Sequence, residues 1–424
     1  MESLIDELSV RTLVHQTTDE AGLRRHLETP RRVYGGFDPT SDSLTIGNLV
    51  PIMVLRRFQL AGHAPVVVMG GATGLIGDPS GKQAERPLLS RLQVAENVAG
   101  QRKVFERLLD FSGTNAARIY DNADWLEPLG FLQVLRDVGK HFAVNMMMQK
   151  DSVKARLEER EQGISYTEFS YMILQAYDFY HLYREHGVTV QIGGSDQWGN
   201  IVAGAELLRR IERAECYGLT SPLVTRADGG KFGKTESGAL WLTPGRTSPY
   251  ALYQFWLNTA DAEVARYLRL FTLLPVPAIE ATLAAHAARP EAHAAQKLLA
   301  EEVTRLVHGA EALAQARAAS EALFSGDVAE LPEALLEEAF AAAPASYHDK
   351  TALSGQGKLL VDLLLETTLV KSKREAREFL GNGAITLNGA RVGPDDRLTP
   401  DRLLHGSLAL FRRGKKSWHV TRWR

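Results

Sequence analysis

Apolar and polar positions divide this chain into strands alternating with helices, then a long helical stretch, then a short mixed one. Arg31 to Phe37, with Val33, Tyr34 and Phe37, has the look of a short buried strand. Leu49 to Leu60 is apolar at helical spacing, with Gly62 as its C-terminal cap. Ala64 to Met69 is continuously apolar, as in a parallel sheet covered on both faces. Ala117 to Tyr120 and Val188 to Ile192 predict a third and a fourth strand. Met1 to Thr29 is expected to be helical, with Thr17, Thr18 and Asp19 able to cap a second segment. Gln83 to Leu109, most of Asp124 to Glu161, and Thr167 to Tyr183 also read as helices. The alternation predicts an α/β fold with a doubly wound parallel sheet.

The pattern then changes. Ser248-Pro249 is a helix start, Ser as cap and Pro at the first turn. From there to about Pro344 the chain is rich in alanine and leucine at helical spacing. Phe324 to Pro332 and Pro344 to Gly357 have linker composition. Leu359 to Leu369 predicts an amphipathic helix. Ser372 and Glu375 form a capping box for the next, which ends at Gly381. Ala384 to Val392 predicts a hairpin turning at Asn388-Gly389, and Leu408 to Trp423 a second β segment. The expected division is 1–225 as the sheet domain, 226–325 as a loop and a helical domain, 326–357 as linker, and 358–424 as a small α+β domain.

Composition narrows the setting. The chain has 424 residues, room for two or three domains. One cysteine, Cys216, excludes an internal disulfide framework and fits a reducing compartment. The acidic, mixed N-terminus does not read as a secretory signal, and no apolar run reads as membrane-spanning. A cytoplasmic location with no membrane partner is expected. The formal net charge is -2, but residues 356–424 carry 14 Lys and Arg against 7 Asp and Glu. A basic tail on an acidic body suggests a polyanion partner. A basic domain that is merely solvated would give the same count.

Several stretches could carry chemistry. Asp38 to Ser43 is a turn between the first strand and its helix, with Gly47 near the helix start. Free backbone N–H groups there favour phosphate. Thr40 and Thr45 add hydroxyls, and Gly36 and Gly47 lie on the same stretch. An ordinary strand–turn–helix would have the same pattern. Gly70 to Lys82 is glycine-rich and follows a strand's C-terminal end, where open α/β sheets bind ligands. Lys82 and Arg86, four apart, could face the same phosphates or be surface charges. Lys231-Phe232-Gly233-Lys234-Thr235 places two lysines in a glycine-flanked loop, a cationic lid or else a solvent turn. Tyr171, Gln175 and Asp178 share one face of a largely apolar helix, as a polar pocket wall or as a wet outer face. In the tail, Lys371, Lys373, Arg374 and Arg377 cluster at one helix. Arg412, Arg413, Lys415 and Lys416 lie among Phe411, Trp418 and Trp423, a mixture suited to RNA. Met146 to Met148 read as core or subunit interface.

Asp38-Pro39-Thr40 with Ser43-Leu44-Thr45-Ile46-Gly47-Asn48 resembles the H-I-G-H motif of class I aminoacyl-tRNA synthetases in its tyrosyl-tRNA synthetase setting. Lys231 to Thr235 resembles the second motif, K-M-S-K-S, in its K-F-G-K-T form. Lys371 to Val392 resembles an S-four type RNA-binding module. The resemblance to bacterial-type tyrosyl-tRNA synthetases spans essentially the whole chain. It implies a Rossmann-like catalytic domain, activation of L-tyrosine by ATP with Mg2+ as co-substrate, and transfer of tyrosine to tRNA(Tyr). It implies no tightly bound cofactor and no protein metal site. It also implies a homodimer, with the region 124–161 as the expected interface.

Carried over, Tyr34 and Asp178 would hold the phenol hydroxyl, and Tyr171, Gln175 and Asp78 the ammonium group. Gln197 would lie near the carboxylate and α-phosphate, and Thr73 beside the amino acid. Gly36, Asp38, Gly47, Asn48, Gly194 and Asp196 would lie on the ATP side, with Lys234. Thr40, Thr45, Lys82, Arg86, Lys231, Lys234 and Thr235 would stabilise the transition state. Thr45 departs from the usual His, and Gly35 stands where some relatives have Cys. Tryptophanyl-tRNA synthetases share the fold and both motifs, but the Tyr34–Asp178 pair and the basic tail favour tyrosine. A synthetase-like RNA-binding protein without catalysis is the other alternative. Thr45 points towards it, the intact Lys231 to Thr235 motif against it.

Overall fold

The computed structural model describes residues 3–80, 88–150, 153–154, 157, 163–225, 232–235, 238–326, 328–341, 343–414 and 417–424. The chain forms two compact units, Met1–Gly309 and Ala310–Arg424.

The first unit is built on six strands: β1 (Gln16–Thr17), β2 (Arg32–Phe37), β3 (Ala64–Met69), β4 (Arg118–Asp121), β5 (Val188–Gly194) and β6 (Tyr217–Ser221). Their order across the sheet is β1-β6-β5-β2-β3-β4. β2 to β6 run parallel and β1 is an antiparallel edge strand. From β2 the chain builds outward through β3 to β4, then returns to place β5 on the other side of β2. That reversal opens a crevice at the C-terminal ends of β2 and β5, the position where such sheets bind ligands. Val33, Val67, Val190 and Leu219 on neighbouring strands are completely buried, as a sheet covered on both faces requires.

Local chemistry sets the element ends. The expected N-terminal helical stretch is two helices, Leu4–Val10 and Glu20–His26, because Thr17 pairs with Leu219 as strand between them. Asp19 caps the second, accepting from the Gly22 N–H. Of the helix expected over Gln83 to Leu109, residues 83–87 lie outside the described residues, and the described helix runs Arg91–Leu108, capped by Ser90, whose hydroxyl accepts from the Gln93 N–H. The region 124–161 is not one long helix. It contains Ala123–Leu126, Phe131–Gln133, a π turn at Val134–Val138, and Val144–Met148, with Gly130 and Gly139 at the breaks. Met147 is buried, whereas Met146 and Met148 are exposed. The helix Tyr166–His186 starts at a Ser165 cap and stops at Gly187, which takes a left-handed φ of 61°.

Beyond the sheet, helices Pro249–Leu257, Asp261–Phe271, Val276–Ala288 and Ala294–His308 pack around buried Trp256, Leu268 and Phe271. Two buried arginines tie this layer to earlier elements. Arg11 donates to the carbonyls of Arg269 and Leu274. Arg57, at the end of helix Leu49–Leu60, donates to the Thr272 carbonyl and pairs with Glu7. Burial, then the Arg11 charge, lowers the Arg57 guanidinium to about 10.

The second unit contains a five-stranded sheet in the order Ala390–Arg391, Ile385–Leu387, Leu408–Arg413, Ser417–Trp423 and Ala345–His348. The last pairing is parallel and the others antiparallel. The stretch 326–357, expected as linker, thus supplies a strand of this sheet together with helix Glu333–Ala339. The expected hairpin is present: Asn388 and Gly389 both take positive φ, 50° and 88°, as a two-residue turn requires. The helix Lys373–Gly381 starts at Ser372, whose hydroxyl accepts from Glu375 N–H, while the Glu375 carboxylate accepts from Lys371 N–H. The helix expected over Leu359 to Leu369 is shorter, one turn at Leu360–Leu363 followed by a 3-10 turn.

A line of hydrogen bonds crosses the sheet. The Thr368 N–H donates to His419 Nδ1, so His419 Nε2 carries the proton and faces Ser346 Oγ at 3.1 Å. Ser346 Oγ then donates to His348 Nε2 at 2.7 Å, and His348 Nδ1 faces Glu366 at 3.1 Å. Among the described residues no helix is long and apolar enough to cross a membrane.

Candidate active site

Asp38 follows β2 directly, and its two carboxylate oxygens have different partners. Oδ1 accepts from Thr73 Oγ1 at 2.8 Å, and Oδ2 from the Tyr171 hydroxyl at 2.9 Å. One carboxylate thereby joins the ends of β2 and β3 to the helix Tyr166–His186. The glycines after β3 exist for this approach: a Cβ on Gly70 would overlap Asp38 Oδ1 and Thr73 Oγ1, and one on Gly71 would overlap Asp121. The helix Arg91–Leu108 backs the turn, Asn97 donating to the Pro39 carbonyl and Gln101 to that of Ser41. Gly36 has open space where a Cβ would be, and Gly47 meets only Thr45 Oγ1 at 3.7 Å. Thr40 is exposed at the turn, its N–H on the Asp38 carbonyl.

Asp178 and Tyr34 lie buried under this turn. Asp178 accepts from Asn122 Nδ2 at 3.0 Å and from Trp125 Nε1 at 2.8 Å. Burial pushes its carboxyl up to about 7, against the two hydrogen bonds that favour the charged form. The Tyr34 hydroxyl is buried and has no hydrogen-bond partner among the described residues. Burial first, then the charge of Asp178, raises it well above the usual phenol range, so it is a neutral donor. Burial, followed by Asp38 and Asp78, does the same to Tyr171. Sequence reasoning missed Asn122 and Trp125. Asn122 also donates to Thr73 Oγ1 and accepts from the Ala72 N–H. Its place at the C-terminal end of β4 was the available signal.

A second polar group stands at the end of β5. Asp78 Oδ2 accepts from Gln197 Nε2 at 2.6 Å, and Asp78 Oδ1 from the Ser80 N–H. Asn200 donates to Gln175 Oε1 and to Gln197 Oε1. Gln175, Asp78 and Gln197, far apart in sequence, therefore belong to one network, with Tyr171 held in the field of Asp78. At Gly194 a Cβ would fall against Asp196 Oδ1, 2.5 Å away.

The two motif stretches meet. Thr45 bridges antiparallel to Trp241, the Ile46 N–H donates to the Leu240 carbonyl, and the Leu242 N–H to that of Leu44. Leu240 N–H donates in turn to the Gly233 carbonyl. Gly233 has φ +72°, and a Cβ on it would overlap Ile46 Cγ2. The Thr45 hydroxyl donates to Asn48 Oδ1 at 2.8 Å, so within this turn its proton is engaged by Asn48. Lys82, Arg86, Lys231, Lys415 and Lys416, and the side chains of Lys234 and Thr235, lie outside the described residues.

In the second unit, Lys371, Lys373, Arg374 and Arg377 are exposed, Lys373 paired with Asp362 at 2.6 Å. Arg412 lies over Trp418 and donates to the Ser325 carbonyl. Arg413 lies over Phe379 and donates to the Leu369 carbonyl. The expected grouping of aromatics for RNA needs correction: Phe411 and Trp423 point into the core of the sheet and are buried.

Residues 26–325 match the family model described as tRNA synthetases class I (W and Y), and residues 336–421 the one described as tyrosine–tRNA ligase SYY-like C-terminal domain. The chain is 53% identical to a tyrosine–tRNA ligase of Bacillus caldotenax and to one of Geobacillus kaustophilus, each over 99% of both chains. Among solved structures it is similar to a C-terminally truncated mitochondrial tyrosyl-tRNA synthetase of Aspergillus nidulans. That match has a TM-score of 0.70 and 30% identity, covering 76% of this chain and 95% of that one.

Proposed function

The chain belongs to the class I tRNA synthetases, in their tyrosine–tRNA ligase branch, and we propose that the crevice between β2 and β5 is its tyrosine and ATP site. The enzyme activates L-tyrosine with ATP and passes it to tRNA. A carboxylate oxygen of tyrosine bonds to the α-phosphorus, and the bond from that phosphorus to the bridging oxygen breaks, releasing pyrophosphate. A ribose hydroxyl of tRNA then attacks the carbonyl of tyrosyl-adenylate, and AMP leaves.

One observation carries the site reading: the Tyr34 hydroxyl, without a partner among the described residues and buried in the field of the Asp178 carboxylate. A phenol hydroxyl donates to Asp178 and accepts from Tyr34, which completes both. Phenylalanine leaves the buried Tyr34 hydroxyl unmatched and brings Asp178 no further donor, which is costly. An indole N–H satisfies Asp178 but gives Tyr34 nothing to donate to. Asp78, Gln175 and Tyr171 hold the ammonium group, with Asp78 supplying the negative charge. Gln197, linked to Asp78, stands towards the carboxylate and α-phosphate. Asp38, Gly36, Gly47, Asn48, Gly194 and Asp196 bound the ATP side.

No side chain is needed as nucleophile or base. Thr40, Thr45, Lys82, Arg86, Lys231, Lys234 and Thr235 stabilise the charge that moves onto pyrophosphate. Mg2+ would enter on the triphosphate oxygens of ATP, its usual carrier in such reactions. Lys371, Lys373, Arg374 and Arg377 form the cationic face for tRNA(Tyr) in the second unit. Exposed Phe131, Leu132, Leu135, Val144, Met146 and Met148 support a homodimer through this region, since exposed apolar patches mark interfaces. The lone Cys216 supports a reducing, cytoplasmic compartment.

The test is ATP–pyrophosphate exchange with tyrosine, tryptophan and phenylalanine in parallel, on the full chain and on Tyr34→Phe. Exchange with tyrosine alone, and weaker discrimination against phenylalanine in Tyr34→Phe, is expected. Exchange with tryptophan in place of tyrosine overturns the assignment of Tyr34 and Asp178.

A further inference from the structure

Phe232 lies between the two lysines of the cationic loop, yet its half-buried ring packs against other aromatic rings. It stacks on Phe271 with centroids 5.3 Å apart and planes 14° apart. It also meets Tyr267 at 5.1 Å, and Phe255 and Trp256 at 6.0 Å each, within the range of favourable aromatic pairs. These four rings belong to helices Pro249–Leu257 and Asp261–Phe271. A solvent turn has no reason to carry a ring into such a cage.

We propose that Phe232 is a positioning residue for adenylate formation, fixing where the lysine-bearing loop stands against the Thr45–Asn48 turn. The proposal rests on the reading that Lys231 to Thr235 serves the departing pyrophosphate.

The argument is a closed circuit of contacts. Phe232 is held by Phe271, and the next residue, Thr272, receives Arg57 on its carbonyl. Arg57 sits on helix Leu49–Leu60, which begins immediately after Asn48. The Thr45–Asn48 turn at the head of that helix presents Ile46, and Ile46 touches Gly233, the neighbour of Phe232. The circuit therefore returns to its start through one aromatic plug, one buried guanidinium, one helix and one glycine contact. Close-packed parts of this kind have few alternative arrangements. Removing the plug frees the loop while leaving the Thr45–Trp241 bridge and the tyrosine pocket in place.

The test uses the full-length protein with Phe232→Ala, Phe232→Leu and Lys234→Ala. The rate of adenylate formation is read by single-turnover kinetics and tyrosine affinity by equilibrium binding. Phe232→Ala is expected to slow adenylate formation on the order of a hundredfold, the scale of a misplaced catalytic group, with tyrosine affinity unchanged. Phe232→Leu, which still fills the cage, is expected to recover most of the rate, and it carries the test if Phe232→Ala does not fold. An unchanged rate in Phe232→Ala, or an equal loss of tyrosine affinity, overturns the positioning role. If Lys234→Ala is impaired and Phe232→Ala is not, only the role of Phe232 falls. If neither is impaired, the loop reading falls and the positioning role with it.

Discussion

The Tyr171 hydroxyl donates to Asp38 Oδ2 at 2.9 Å, joining a helix to a strand end that lies 133 residues earlier. Hydrogen bonds to charged groups contribute about 1.5–3 kcal/mol. Tyr171→Phe should lower stability to urea by about that amount. It should also raise the dissociation constant for tyrosine, because the ammonium site loses its hydroxyl. Thr73 still holds Asp38 Oδ1, so the fold should persist. A variant with wild-type urea midpoint and wild-type tyrosine binding would remove this bond from the account.

Gly70→Ala tests the close approach after β3. Its φ is not in the left-handed region, so the methyl acts through space alone. It would collide with the Asp38 carboxylate and the Thr73 hydroxyl. The expected result is a folded protein whose pyrophosphate exchange is reduced on the order of tenfold or more, because misplacement by a fraction of an ångström is costly at a preorganised site. Normal exchange would mean that Asp38 can shift freely.

Asp178 predicts opposite pH trends for binding and stability. Its carboxyl, near 3.8 ordinarily, titrates at about 7 when buried. Between these values the folded protein holds the proton more tightly than the unfolded chain, so stability falls as pH rises from about 4 to about 7. Tyrosine requires the ionised form as acceptor, so its affinity should fall as pH drops through about 7, by about tenfold per unit well below it. Asp178→Asn should abolish both dependences. Calorimetric titrations across that range read the binding, and thermal melts the stability.

Much of this site could be read from the chain because strand ends and glycines mark it. β3 was foreseen from Ala64 to Met69, and the hairpin at Asn388-Gly389 from two residues. β1 and β6 were missed: Gln16–Thr17 is too short to show a period, and Tyr217–Ser221 mixes Gly218 and Thr220 into a fully buried strand. Asn122 and Trp125 were missed because their partner, Asp178, lies more than fifty residues away. The Phe411 and Trp423 rings looked like an RNA surface, since alternation alone does not say which face of a sheet is covered.

The hydrogen-bonded line in the second unit gives a further pH prediction. Burial, the leading cause for both, lowers His348 and His419 below the ordinary 6.5. Glu366 pulls His348 back up and Lys358 opposes it. With folded values below the unfolded one, the stabilisation is fully present above pH about 6.5 and is lost as pH falls through the folded values. A proton on His419 Nδ1 would also displace the Thr368 N–H. The protection of the amides along Ala345–His348, taken relative to the intrinsic exchange rate at each pH, should therefore fall between pH 7 and pH 5. Equal protection at both values would show that the line carries no such role.

The strand Ser417–Trp423 lies between Leu408–Arg413 and Ala345–His348, although it is the last of the five to be synthesised. Among the described residues Ala345–His348 has no other neighbour in the sheet, so it leaves the ribosome about seventy residues before its partner exists. The hairpin Ile385–Arg391 can close as soon as it emerges, but the sheet cannot be completed from one end to the other. The pairing of Ser417–Trp423 with Ala345–His348 joins an early strand to a late one, a long-range closure of the kind that slows folding. Until then Ala345–His348 presents open backbone on both edges, and a nascent chain stalled in this interval is the form most exposed to chaperones and to mispairing with its neighbours on the same message.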